Sequence, residues 1–417
     1  MTAPVNFLKS VQTFNESQLA LLQNSYAFVA TTNKKFKDFE RDIPKNLGDT
    51  VLFDKPPRFT TTASLVAAFQ SANQRYQSLT IDQPISTSIE FTNEQFLLYN
   101  IEEYMKVFGR SAVAEIGSKI EENVAKNAET HTFRFFNGLS GGLSTYGQLA
   151  TALAFFDSFG SAKTKRKGYL PTIAIPSIIN SGLNQFAPKR ADKDAMSWEI
   201  ADFAQTEWYS SNLLPLHVSG TEGQTGSVLT VVEAHTDATG AVYEIVFSGC
   251  NAPLDVNSIK AYDKFQFNDG VVGQKNVRFL TYIGHSPSAC PVQFAAVSDA
   301  ASTSSSQVTV TINPPLQAAA GQDQNITTPI VPGMQVSVLP NHRCGLITAG
   351  DPLYLAMPRL PEQRPYDTSS VMDKDSGCGL RTTYGSIFGQ NQRGLIIDAI
   401  WGSTLVDEYA MMLAFPE

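Results

Sequence analysis

Five residues, Gly138-Leu-Ser140-Gly-Gly142, match G-x-S-x-G, the turn on which α/β-hydrolases hold a serine nucleophile. Ser140 would attack an acyl carbonyl if a histidine took its proton, and His342 stands downstream. That elbow also needs a strand before it, a helix after it and alternating β and α units around it. Here the match follows a helix end and the run "THTFRFFNG", with no such alternation. A glycine-rich helix terminator explains the same five residues. The stretch also lacks the spacing and the terminal Lys-Ser/Thr of a phosphate-binding loop.

Other chemistry is sparser still. Asp373-Lys-Asp375-Ser-Gly starts like a calcium loop, but Tyr384 falls where the bidentate glutamate belongs, so an Asx-type turn is the simpler reading. The five histidines (131, 217, 235, 285 and 342) are scattered. Only His342-x-Cys344 and the looser His285 and Cys290 approach a ligand spacing, and each histidine reads more readily as a single polar contact than as a metal ligand. Cys250, Cys290, Cys344 and Cys378 are far apart and read as free thiols. No carboxylate pair suggests acid–base work. The expectation is no enzyme, no cofactor and no metal.

One basic cluster remains. "SAKTKRKG" (Ser161 to Gly168) packs Lys163, Lys165, Arg166 and Lys167 into five positions of a chain with 31 Lys+Arg, 39 Asp+Glu and a net charge of −8. An acidic chain is not built to search for free DNA, though it can surround it. The cluster falls between a helix ending near Phe159 and the strand-like "GYLPTIAIP", where cations favour a helix C-terminus. Neutralising all four is expected to leave the fold intact.

The elements that must carry these residues are clearer. Residues 1–47 read as a helical, amphipathic arm with Leu19, Leu22 and Tyr26 at helical spacing. "GDTVLFDKPPRFTTT" and "QSLTIDQPISTSIEFT" are two β-rich, largely polar runs that suggest a two-stranded arm. Such an arm is marginal in water without another surface. Thr92 and Gln95 form a capping box for a helix running to about residue 128, with Phe108, Ala112, Ile116, Ile120 and Val124 along one stripe. Residues 130–215 are mixed α/β, and 216–340 hold six strand candidates separated by turn residues, the texture of a small barrel or sandwich. The remainder returns to mixed texture and ends in "GLIIDAIWG" and "EYAMMLAF". Charge is only 17% of the chain, and no apolar run approaches the ~18 residues of a membrane span. The N-terminus lacks the features of a signal peptide, so a cytoplasmic product is expected.

This order of elements, opened by "GDTVLFDKPPRF", continued by "LTIDQPISTSIEFTNEQF" and "KFQFNDGVVGQKNVRFLTYIG" with "VTINPPL", and closed by "RGLIIDAIWGSTLVDEYAMMLAF", resembles the major capsid proteins of tailed bacteriophages with the HK97-like fold. It is most similar to coat proteins of short-tailed phages that carry an inserted β domain. The resemblance implies an α+β fold: an N-terminal helical arm at 1–47, an extended β loop at 48–93 and a spine helix of the peripheral domain at 94–130. Axial and peripheral domains would follow at 131–215 and 341–417, with an all-β barrel inserted at 216–340. It implies self-assembly into hexamers and pentamers of an icosahedral virion shell around double-stranded DNA. The expected partners are a scaffolding protein, a portal protein and a decoration protein, with assembly in the host cytoplasm and no membrane. A nanocompartment shell of the encapsulin kind is the alternative. Lys55 and Arg58 would then meet acidic neighbours across a subunit boundary or line a solvated strand edge. Lys163, Lys165, Arg166 and Lys167 would face DNA without reading its sequence.

Overall fold

The computed structural model describes residues 27–33, 50–55, 58–60, 74–92, 101–139, 143–160, 165–182, 203–268, 277–282, 284–363, 366–372, 378–386 and 392–417. Along the chain come helix α1 (Ala27–Thr31), strands β1 (Thr50–Asp54), β2 (Tyr76–Thr80) and β3 (Gln83–Thr92), and the long helix α2 (Ile101–His131). Next are β4 (Phe135–Asn137), α3 (Tyr146–Asp157), β5 (Arg166–Pro171), α4 (Ile175–Gly182), β6 (Thr206–Ser211), β7 (Leu216–His217) and the single turn α5 (Thr221–Thr225). A β-rich stretch holds β8 (Val228–Thr236), β9 (Val242–Ser248), β10 (Lys264–Phe267), β11 (Arg278–Leu280), β12 (Pro287–Pro291), β13 (Gln293–Ala296), β14 (Gln307–Leu316) and β15 (Gln335–Val338). The chain closes with β16 (His342–Ala349), β17 (Leu353–Ala356), β18 (Asp367–Met372), β19 (Gly379–Ser386), β20 (Gln392–Leu405) and β21 (Ala410–Phe415). Two compact units result. One comprises residues 1–53, 76–127 and 353–405, and the other 54–75, 128–352 and 406–417.

In the first unit, β1 and β2 form a two-stranded sheet, and β3 joins a five-stranded one in which β20 is flanked by β3, β19 and β17. The expected pairing of the two β-rich runs as one arm is therefore only half of what forms. The second run splits: β2 stays with β1, while β3 pairs antiparallel with β20 from Gln83↔Trp401 to Thr92↔Gln392. The alternation of Ile85 and Ile89 with Ser86 and Ser88 gives β3 one half-buried face, which a broad sheet covers better than a lone hairpin. Gly402 is required where β20 meets the end of β2, since a Cβ there would sit 2.0 Å from the Thr80 carbonyl oxygen.

Helix α2, at ~1.5 Å per residue, is roughly 46 Å long. The expected stripe buries Ala112, Ile116, Ile120 and Val124, while Phe108 is exposed. Glu121, a carboxylate outside that stripe, is also only 1% exposed. Its carboxylate accepts the Phe28 amide at 2.9 Å and the Val29 amide at 3.2 Å, satisfying free donors at the start of α1. Asn127 binds the backbone oxygen and hydroxyl of Ser403 on β20. The capping box at Thr92 and Gln95 lies partly outside the described residues; Thr92 itself ends β3.

The second unit has two cores. Strands β10, β13, β14, β9, β8 and β15 close into a six-stranded barrel. In β14 Val308, Val310 and Ile312 point in while Thr309 is exposed, the period-two pattern of a barrel wall. Phe247, Phe265 and Phe294 stack nearly parallel at its centre, Phe265 and Phe294 with centroids 5.0 Å apart. "VRFLTYIG", one of the six strand candidates of 216–340, pairs as β11 with β12 outside the barrel, which the short β15 closes.

The barrel is inserted in the chain between strands of one mixed sheet, ordered β4-β21-β16-β5-β6, with β7 also on β16. Every residue of β21 is buried. Its alternate side chains serve two cores: Met411, Leu413 and Phe415 pack with Leu149, Leu153 and Phe156 of α3 and Ile178 of α4, whereas Met412 and Ala414 pack with Phe135, Leu339 and Cys344. A capping box between Thr145 and Gln148 starts α3, and Pro176 occupies the first turn of α4. Among the described residues no helix is long and apolar enough to cross a membrane.

Candidate functional site

Among the described residues, three charged clusters in the second unit bring together side chains with chemical potential. The first surrounds the chain that follows β1. Lys55 Nζ lies 2.6 Å from Asp407 Oδ1, and Arg75 Nη2 lies 2.7 Å from Glu408 Oε1, with Arg58 Nη2 at 3.5 Å from the same oxygen. The Lys55 amide donates to the Arg75 carbonyl at 2.8 Å, closing the base of the loop. Both cations singled out in the sequence thus find carboxylates on their own chain. Those carboxylates belong to the 3-10 turn Asp407–Tyr409 that leads into β21. Sequence reasoning missed them because nothing in the spacing links positions some 350 residues apart.

Arg134 reinforces this anchor. It is almost fully buried, donates to the Asp407 carbonyl at 2.7 Å, and lies over the rings of Phe159 and Tyr282 at 4.6 and 4.7 Å from their centroids. Arg58 stacks on Tyr282 at 4.8 Å. Burial and the nearby Arg75 charge pull the Arg58 guanidinium below its ordinary pKa.

The second cluster is the basic run. Lys163 lies outside the described residues, and the other three cations have separate environments. Lys165 is three-quarters exposed and 3.7 Å from Asp351; Lys167 is 2.6 Å from Asp351 and mostly covered. Arg166 corrects the expectation of a solvated connection, since it lies in β5, is only 3% exposed, pairs with Asp157 and lies over Phe156. The strand begins earlier than "GYLPTIAIP" suggested, and its alternation sends Arg166 inward beside the end of α3. Arg166 is therefore part of the packed interior and offers no face to DNA.

The third cluster was not legible as a whole. His217 on β7 lies between two carboxylates, 2.7 Å from Glu129 Oε1 by Nδ1 and 2.8 Å from Asp263 Oδ1 by Nε2. Glu129 comes from the last turn of α2, and Asp263 precedes β10. Asp263 also accepts the amides of Gly220 and Lys260 through its second oxygen. Lys264, fully buried, donates to the carbonyls of Glu129 and Thr132. Burial disfavours a charged His217, but hydrogen bonds to Asp263 and Glu129 outweigh it and raise its pKa to about 9. Burial would likewise raise Glu129, yet His217 and Lys264 hold it below its usual value.

Register brings His342 of β16 directly opposite His217, with the rings 5.2 Å apart. His342 Nδ1 lies 2.7 Å from the Pro340 carbonyl, so that nitrogen carries the proton and Nε2 is an acceptor. Cys344, two residues on and on the same face of β16, completes the group. The His342-x-Cys344 spacing was the one visible signal; Glu129, Asp263 and Lys264 carried none.

Ser140, the apparent calcium loop at 373–377 and most of the N-terminal arm lie outside the described residues. The four cysteines are buried free thiols.

No protein-family model matches this chain, and no curated protein matches it. Solved structures do. A structure from Mycobacterium phage Che8 is similar at 8% identity, covering 93% of this chain and 91% of that one, with a TM-score of 0.46. The capsid asymmetric unit of cyanophage Pam1 is similar at 10% identity over 93% and 91% of the two chains, with a TM-score of 0.44. A virus-like particle from Pyrococcus furiosus is similar at 6% identity over 96% and 97%, with a TM-score of 0.40.

Proposed function

We propose that this chain is the major capsid protein of a tailed bacteriophage, assembling into hexamers and pentamers of an icosahedral head that encloses double-stranded DNA. The observation that carries the reading is the β1–β2 arm. Leu52 and Tyr76 on its two strands are 63% and 51% exposed, and Phe59 beyond β1 is 54% exposed. Of the two strands, only Leu79 is buried among the described side chains. One face of the ribbon rests on its own unit, where the Phe53 and Tyr354 rings stack with centroids 4.5 Å apart, and the other keeps bare apolar side chains that gain by meeting another surface. A second copy of the chain supplies that surface in a closed shell. The long helix, the sheet built from both sides of an inserted barrel, and the element order support the same reading.

Under this reading the HK97-like assignments, with α2 as spine helix and the 48–93 segment as extended loop, follow the sequence resemblance. Scaffolding, portal and decoration proteins would be partners during assembly in the host cytoplasm. Lys165, with its exposed ammonium, would soften repulsion between the acidic shell and packed DNA without sequence readout. Lys55 and Arg58 would hold the base of the loop so that its tip can meet the neighbouring subunit.

The test is a Leu52→Lys, Tyr76→Lys double variant, co-expressed with the scaffolding protein. The subunit should remain folded by circular dichroism while the yield of shells collapses. Undiminished shell formation would remove the observation on which the proposal stands.

A further inference from the structure

The geometry points to a structural binding site for a thiophilic divalent cation, zinc foremost, formed by Glu129, His342 and Cys344 at the junction of α2 and β16. The three offer one ligand atom each, and those atoms all lie within 4.8 Å of one another in a fully buried setting. Carboxylate, imidazole and thiol are the donor types that zinc selects. A tetrahedral ion with bonds of about 2.0–2.3 Å holds its ligand atoms roughly 3.5 Å apart, so small side-chain rotations close the group.

A second observation is independent of the cluster's composition. His342 is 0% exposed, and its Nδ1 proton is committed to the Pro340 carbonyl. Its Nε2 therefore presents a bare lone pair, and that buried nitrogen has no hydrogen-bond partner among the described residues. An orphaned acceptor of this kind costs free energy unless something electrophilic meets it. The ligand's other nitrogen bonded to a backbone carbonyl is also the arrangement that fixes the tautomer and ring orientation of a metal-ligating histidine.

The surroundings fit. His217 lies 2.7 Å from Glu129 Oε1 and so can orient that carboxylate, while Asp263 holds the far side of the same ring at 2.8 Å. His342 and Cys344 project from one face of one strand, which fixes their separation. On binding, the Cys344 proton leaves to buffer and a metal–sulfur bond replaces it, so at least one proton is released per ion. Lys264 Nζ is tied to two carbonyls, and its ammonium opposes the ion. That repulsion weighs on any divalent ion, and it is the thiolate and imidazole donors that favour zinc over magnesium or calcium. Because the ligands are buried, loading would accompany folding.

The experiment uses the full chain expressed in zinc-supplemented medium, purified, and analysed for metal by mass spectrometry, beside Cys344→Ala, His342→Gln and the control Cys250→Ser. About one zinc per chain is expected in the wild type and the control, falling by roughly tenfold or more in the two ligand variants. A folded wild-type chain that carries only trace zinc overturns the inference, as does full zinc retention in both ligand variants. Should those variants fail to fold, wild-type protein from cobalt-supplemented medium decides. A thiolate-to-cobalt charge-transfer band supports the site, and its absence overturns it.

Discussion

Glu408→Gln tests the anchor at the base of the loop. The Glu408 side chain is 4% exposed and faces Arg75 at 2.7 Å and Arg58 at 3.5 Å, which are 30% and 14% exposed. Removing one partner of a fully buried ion pair costs about 3–5 kcal/mol, because the remaining charge stays buried. Water reaches Arg75, and the amide still offers an oxygen, so the expected cost here is nearer 2 kcal/mol, or roughly 30-fold in the opening equilibrium of the loop. The Lys55 amide, bonded to the Arg75 carbonyl at 2.8 Å, reports that equilibrium. Hydrogen exchange followed by mass spectrometry should show peptides spanning residues 50–58 exchanging about 30-fold faster in the variant, with β16 and β21 unchanged. Exchange within about twofold of wild type would refute the reasoning that these arginines depend on Glu408.

Other outcomes follow from the same physics. Arg166→Gln should lower unfolding stability by about 3 kcal/mol in denaturant titration, whereas Lys165→Gln, an exposed cation, should change it by less than about 0.5 kcal/mol. Gly402→Ala forces a Cβ to 2.0 Å from the Thr80 carbonyl and should lower the melting temperature of the first unit, with a cost of about 3 kcal/mol or more. Phe294→Ala, at the centre of the barrel's stacked rings, should cost about 3–5 kcal/mol. In chelator, stability should peak near pH 6.5. His217, raised to about 9, contributes stability that is present below pH 6.5 and is lost as pH rises from there to 9. His342, lowered to about 4 by burial, contributes stability that is present above pH 6.5 and is lost as pH falls from there to 4. His217→Gln should flatten the alkaline limb and His342→Gln the acid limb of the denaturation midpoint against pH.

What the sequence made legible was periodicity. The stripe Ala112, Ile116, Ile120 and Val124 and the alternation of Val308, Val310 and Ile312 could be read directly, because burial on one face demands them. Partnership was not legible. Nothing local told that β3 would leave β2 for β20, that "VRFLTYIG" would stay out of the barrel while four residues of β15 closed it, or that Arg166 would turn inward. Those outcomes depend on which distant strand offers the better surface. The candidate sites divided in the same way. His342-x-Cys344 showed through its spacing, and Lys55 and Arg58 through their place in the loop. Their partners Glu129, Asp407 and Glu408 lie hundreds of residues away, where no pattern marks them.

Electron micrographs of the purified chain, expressed with and without a scaffolding protein, test the central claim most directly. Closed, icosahedral shells of uniform size, built from hexamers and pentamers, are predicted. Only small soluble oligomers under both conditions would contradict the claim that this chain is a capsid subunit.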